Sequence, residues 1–176
     1  MASTRISDLT YAEFADLSHR LHLDPAFIER TIAFRRAAYA RNLVCRTPHC
    51  ELLVLCWEPG QTTVVHDHDD ALNYIRVVRG TLTSRLFARR TPGTEGGDHP
   101  RRGTGPLEVA CGERLTPGMR TGLDRPQIHQ LANTSGERLV TVHAYAPPLR
   151  DIVAYDVETG ECERMALRYT LGDDFA

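Results

Sequence analysis

The stretch Gly60-Gln61-Thr62-Thr63-Val64-Val65-His66-Asp67-His68 decides how the rest of the chain is read. On an extended segment side chains alternate between faces, so His66 and His68 point to the same side. A third histidine from a later antiparallel strand can complete a cluster facing one metal. The downstream candidate is His129, in the run His129-Gln130-Leu131-Ala132-Asn133. Imidazole suits iron, zinc, copper and nickel alike, so the residues alone do not choose the ion. Taken by itself, His66-Asp67-His68 reads equally well as a pair of surface histidines on a polar loop.

At 176 residues the chain is expected to be one domain over 1–176, long enough to bury a full core. Hydrophobic content of 41% and charged content of 25% are ordinary for a soluble globular protein. A formal net charge of −2 gives no reason to expect nucleic acid or an anionic membrane as a partner. All 21 basic residues are arginine, which excludes chemistry built on a Schiff-base or P-loop lysine. The first residues lack the apolar core of a signal peptide, and no stretch approaches the roughly 20 apolar residues of a membrane span. Five cysteines, an odd number with no Cys-x-x-Cys pair, point to reduced thiols and a cytoplasmic location. A monomer is expected.

Residues 7 to 38 read as helical. Ser7 can cap a segment in which Leu9, Phe14, Leu17 and Leu21 recur at near-helical spacing. Asp24-Pro25 is a second start signal, an N-cap followed by proline at the first helical position. From Arg41 onward the texture changes to short β-rich runs. Candidate strands are Glu51 to Trp57, Thr62 to His66, Tyr74 to Val78, Leu82 to Phe87, Ile128 to Leu131, Leu139 to Tyr145 and Ile152 to Tyr155. Turn signals such as Glu58-Pro59-Gly60, Arg79-Gly80 and Glu158-Thr159-Gly160 separate them. Many short strands with closely spaced turns argue for a sandwich or a small barrel. The segment from Arg89 to Pro106, rich in Gly, Pro and charge, is expected to be an exposed hairpin loop or lid.

The spacing resembles the two signatures of the cupins. The first runs from Gly60 through His66 and His68 to Gly80, and the second joins His129 to Asn133. The resemblance implies a mainly β fold, a small jelly-roll-like cupin β-barrel over 41–170 with N-terminal α-helices over 1–40. Asn73 stands where the common cupin glutamate ligand would be, so the site reads as three neutral imidazoles with no carboxylate. Such a site leaves a divalent ion its full charge and open positions, where an anionic thiolate could bind.

At Tyr39-Ala40-Arg41-Asn42-Leu43-Val44 the resemblance sharpens to cysteine dioxygenase. Val142-His143-Ala144-Tyr145-Ala146-Pro147-Pro148 carries it further, and the likeness runs in order from about Tyr39 to Tyr169. It implies mononuclear Fe(II) held by His66, His68 and His129, with a small thiol and O₂ as the molecular partners. The thiol, L-cysteine in the favoured reading, would chelate iron through thiolate and amine and leave as its sulfinic acid.

By the same resemblance Arg41 would hold the substrate carboxylate and Tyr39 could assist. The guanidinium offers two parallel charge-assisted hydrogen bonds to a carboxylate. Thr141, His143 and Tyr145 alternate on one strand face, and Tyr145 would present its hydroxyl to substrate and oxygen. Thr141 replaces the serine usual in the family. Asn73 replaces a cysteine that the mammalian enzymes cross-link to the matching tyrosine, so no thioether is expected here. A cis peptide at Ala146–Pro147 is also implied. The alternatives are 3-mercaptopropionate as substrate, which has the same thiolate-to-carboxylate separation without the amine, and a non-catalytic cupin that binds a small ligand through its metal. Arginine at the Arg41 position leans toward cysteine by resemblance only.

Overall fold

The computed structural model describes residues 9–90, 105–124 and 126–171. Ser7 lies outside them, and the first helix, α1 (Tyr11–Arg20), is capped instead by Thr10. Thr10 Oγ1 accepts from the Glu13 amide while the Glu13 carboxylate accepts from the Thr10 amide at 2.8 Å, a reciprocal cap. The second helix, α2 (Pro25–Thr31), starts where Asp24-Pro25 predicts, with the Asp24 carboxylate accepting from Ala26 N. The expected helical stretch is thus two short helices. Each buries one large residue, Phe14 or Ile28, against the same apolar cluster.

Eleven strands follow among the described residues: β1 (Ala40–Arg46), β2 (Glu51–Trp57), β3 (Val65–Asp67), β4 (Leu72–Arg79), β5 (Leu82–Arg89), β6 (Leu107–Leu115), β7 (Arg120–Leu123), β8 (His129–Ala132), β9 (Leu139–Ala146), β10 (Asp151–Tyr155) and β11 (Cys162–Ala166). They form a five-stranded sheet, β1-β2-β9-β4-β7, and a six-stranded sheet, β11-β10-β3-β8-β5-β6. No ladder joins the two sheets among the described residues, so the barrel is a two-layer, jelly-roll-like cupin rather than a closed cylinder. The Arg89 to Pro106 segment links β5 to its antiparallel neighbour β6, as a hairpin connection should. Its middle, 91–104, lies outside the described residues, and so does the question of a lid.

Burial follows from the layering. Every residue of β2 and β9 is buried, because the five-stranded sheet is covered on both faces. Its inner face packs Leu53, Leu55, Ile75 and Val77 against the other sheet, and its outer face packs Leu52, Val54, Leu72 and Val142 with the helices. The four strands that sequence reading did not name, β1, β6, β7 and β11, are the edges of the two sheets. In β6 only the two end residues are buried, and β11 is exposed throughout. Such strands are held by ladder partners rather than by an apolar face, so they carry no periodic signal.

Two signature residues outside the histidines, Gly80 and Asn133, are structural. Gly80 has φ +80, and a Cβ there would sit 2.5 Å from the Arg138 carbonyl oxygen. Asn133 is fully buried, and its amide donates to the carbonyls of Glu137 at 2.7 Å and Trp57 at 3.3 Å. Together these tie the turns between strands to one end of the sheets. The Ala146–Pro147 peptide is cis. The five cysteines are free thiols, with Cys56 buried. Among the described residues no helix is long and apolar enough to cross a membrane.

Candidate metal centre

His66 comes from β3, and His129 lies directly opposite it on β8. His68 follows one residue beyond β3. Their ligand atoms lie within 4.8 Å of one another, and all three side chains are buried. The Nε2 atoms of His68 and His129 each approach Nε2 of His66 at 3.1 Å. His66 Nδ1–H donates to the Val64 carbonyl at 2.9 Å, which leaves its Nε2 as a bare lone pair. That one lone pair faces two other ring nitrogens and can accept only one hydrogen bond, so the grouping is better satisfied by a cation. Ligand distances of about 2.0–2.1 Å put imidazole nitrogens on one ion roughly 3.0–3.4 Å apart. The cluster fits a divalent metal.

Protonation would oppose that. Burial first, and the neighbouring charges second, hold the His68 and His129 rings well below the usual histidine range. His66 is brought down to about 4, again chiefly by burial. All three rings are therefore neutral near pH 7, the form a metal would need. Among the described residues no carboxylate joins the group: at the expected acid position Asn73 is fully buried on β4.

On β9, Thr141, His143 and Tyr145 share the inner face and form one chain of contacts. Thr141 Oγ1 lies 2.8 Å from His143 Nε2, and His143 Nδ1 lies 3.1 Å from the Tyr145 hydroxyl. Trp57 Nε1–H, which can only donate, gives its proton to Thr141 Oγ1 at 3.0 Å. The buried Thr141 hydroxyl then has His143 Nε2 as its acceptor. With Thr141 donating to Nε2, a neutral His143, held near 3 by burial and the Arg41 charge, carries its proton on Nδ1 and donates to Tyr145. In that arrangement the Tyr145 hydroxyl accepts from His143 and keeps its own proton to donate. Its ring stands edge-on to His68, 5.2 Å between centroids, and burial keeps the phenol protonated despite nearby Arg41.

Arg41, on β1, is 7% exposed, and its Nε and Nη2 find no hydrogen-bond acceptor. Glu51 lies 3.6 Å from Nη2, an ionic contact too long for a hydrogen bond. The Glu51 carboxylate is itself occupied, accepting from the Leu149 amide at 3.2 Å and from the Tyr169 hydroxyl. A buried guanidinium with two unpaired donors is matched by an anionic ligand such as a carboxylate.

These contacts place a three-imidazole cluster, a tyrosine and an unsatisfied guanidinium between the same two sheets. A family model of cysteine dioxygenase type I matches residues 8–158. The chain belongs to that family. This cysteine dioxygenase family member is 26% identical over 139 residues to cysteine dioxygenase type 1 of Rattus norvegicus, covering 77% of this chain and 64% of the rat protein. It is 29% identical over 129 residues to that of Danio rerio, covering 72% of this chain and 60% of the fish protein. The matches thus span less than two thirds of the length of these relatives. A Klebsiella pneumoniae protein described as having a double-stranded β-helix domain shares the fold, at TM-score 0.53 and 16% identity over 86% of this chain and 94% of that one.

Within the family framework, the structure brings together His66, His68, His129, Tyr145, His143 and Thr141, with Arg41 beside them. Tyr39 stands on the same side, its ring stacked on Trp57 at 4.4 Å and 18°. Sequence reading missed Trp57, Glu51 and Tyr169. Glu51 and Trp57 open and close the apolar run of β2, and only the pairing of β2 with β9 sets Glu51 opposite Tyr145. A charged residue at the start of an otherwise apolar strand was the one available signal.

Proposed function

We propose that this chain is an Fe(II)-dependent thiol dioxygenase that converts L-cysteine and O₂ to cysteine sulfinic acid. One observation carries the reading. The bare imidazole cluster and the unsatisfied Arg41 guanidinium share one interior, a thiolate-binding metal site beside a carboxylate clamp. Bound there, Fe(II) would supply the redox chemistry that joins both atoms of O₂ to sulfur with no external reductant. His66, His68 and His129 would hold it through Nε2. Arg41 would fix the substrate carboxylate through Nε and Nη2. Glu51 and Tyr169, beneath the guanidinium, would keep its fork in place.

Tyr145 is the catalytic hydroxyl in this reading. Trp57, Thr141 and His143 act through it as positioning residues, since their contacts form one chain that, with Thr141 donating to His143, leaves the Tyr145 proton to point inward. Trp57→Phe keeps the ring stacked on Tyr39 but removes the N–H donor. One neutral hydrogen bond contributes about 0.5–1.5 kcal/mol, so kcat should fall roughly two- to tenfold with little change in KM. The ¹⁵N shifts of His143 should show loss of the single Nδ1–H tautomer. An unaltered tautomer together with unaltered kcat would remove Trp57 from the relay.

Oxygen uptake by the Fe(II)-loaded protein tests the whole reading, with cysteine, 3-mercaptopropionate and cysteamine compared side by side. Cysteine should give the highest kcat/KM and a sulfinate product heavier than the thiol by two oxygen atoms. No uptake with any of the three, at full iron occupancy, would overturn it in favour of a cupin that binds its ligand without turnover.

A further inference from the structure

Asn73 is fully buried, and its side-chain carbonyl Oδ1 has no hydrogen-bond partner. Its Nδ2 donates to the Ala144 carbonyl at 3.4 Å, which aims the amide without satisfying the oxygen. Alternation along β4 shows where the group points. Leu72 and Tyr74 belong to the cluster under the helices, whereas Ile75 and Val77 belong to the core between the sheets. Asn73, in phase with Ile75 and Val77, faces the interior that holds the histidines.

The ladders make the position more definite. Tyr145 pairs with Glu51 on one side and with Asn73 on the other, so the three form a polar row across β2, β9 and β4. Directly opposed side chains on one face stand about 4.5–5.5 Å apart at Cβ. Tyr145 in turn packs edge-on against His68, whose carbonyl accepts from Ala71 N in the turn that leads into β4. An unpaired acceptor therefore stands beside the catalytic tyrosine, on the side away from Glu51. Buried acceptors without partners are costly, and a ligand that supplies a donor removes the cost.

We infer that Asn73 Oδ1 accepts an N–H from the amino group of the thiol substrate, and so selects carboxylated 2-aminothiols over otherwise identical thiols lacking the amine. This rests on the thiol dioxygenase reading above. Arg41 offers only donors, so it takes the carboxylate and cannot serve the amine. A metal held by the histidine cluster would take the thiolate. Of the polar groups of cysteine only the amine remains, and it keeps N–H donors whether free or metal-bound. A thiol without the amine leaves Oδ1 unpaired, the kind of mismatch that discriminates strongly between similar substrates.

The test uses the full chain substituted with Zn(II), so that binding is read without turnover. Calorimetric titration compares cysteine with 3-mercaptopropionate in wild type, Asn73→Ala and Asn73→Leu, the last preserving volume. Both variants should bind cysteine about three- to tenfold more weakly, the scale of one neutral hydrogen bond, and 3-mercaptopropionate unchanged or more tightly. In wild type, the Asn73 side-chain amide resonances should move with cysteine and stay put with 3-mercaptopropionate, an arm that does not depend on either variant folding. An unchanged affinity ratio in a folded variant, or amide resonances indifferent to cysteine, overturns the role of Asn73 alone. Failure of the wild type to bind either thiol overturns the thiol reading as well.

Discussion

His129→Ala is expected to abolish stoichiometric metal binding and, with it, oxygen consumption. His129 is essentially inaccessible to solvent, 1% exposed, and its Nε2 meets that of His66 at 3.1 Å. Removing it leaves two neutral imidazoles and no carboxylate, because Asn73 cannot supply one. Loss of a mere outer-shell partner costs about 10–100-fold in metal affinity, and loss of a direct ligand in a three-ligand site should exceed that. The measurements are metal content after dialysis and O₂ uptake at matched protein concentration. A thermal melt with and without Fe(II) adds an independent readout, since the wild type should gain stability from an ion bound only by the folded state. The variant should lose that gain. Equimolar iron retained by His129→Ala, with activity preserved, would move the metal centre elsewhere.

The second large effect is expected at Arg41. Arg41→Ala should lower kcat/KM for cysteine and 3-mercaptopropionate by roughly ten- to a hundredfold, from loss of charged hydrogen bonds contributing about 1.5–3 kcal/mol. Cysteamine, which has no carboxylate, should be affected far less if it is used at all. Arg41→Lys should restore only part of the loss, because an ammonium cannot reproduce the planar fork. The buried setting adds a stability consequence. Arg41 is the cation 3.6 Å from Glu51, so its removal leaves a buried carboxylate with only neutral partners, a change that commonly costs about 3–5 kcal/mol. The double variant Arg41→Met/Glu51→Gln should recover much of the melting temperature while kcat/KM stays low. That separation distinguishes a substrate clamp from a structural ion pair. Undiminished kcat/KM in a folded Arg41→Ala protein would remove Arg41 from substrate recognition.

The inner polar row explains why part of this site was legible in the chain and part was not. His66 and His68 are near neighbours on one extended segment, and the two-residue period alone sets them on one side. Thr141, His143 and Tyr145 obey the same period along β9. In both cases the relation is local and survives in the linear order. Trp57, Glu51 and Asn73 enter the site through strands brought together across long separations. Their roles depend on ladder register: Trp57 reaches Thr141 across 84 positions, and Glu51 meets the Leu149 amide across 98. A shift of one residue in either ladder would turn these groups to the other face of the sheet.

Sequence by itself determined the mainly β cupin class, the N-terminal helical part, the trio His66, His68 and His129, and membership of the cysteine dioxygenase type I family as an expectation. Each rests on short-range spacing, on the glycine that Gly80 requires at positive φ, or on motifs kept in order. Tertiary structure alone decided, among the described residues, where the two helices end, that the two sheets share no ladder, and that four strands outside the named candidates complete them. It also decided which polar atoms are satisfied and which are left bare. Arg41 Nε and Nη2 and Asn73 Oδ1 are bare because packing between the sheets buries them without an acceptor or donor in reach. That condition belongs to the packed molecule, since in the unfolded chain every one of these groups is hydrogen-bonded to solvent.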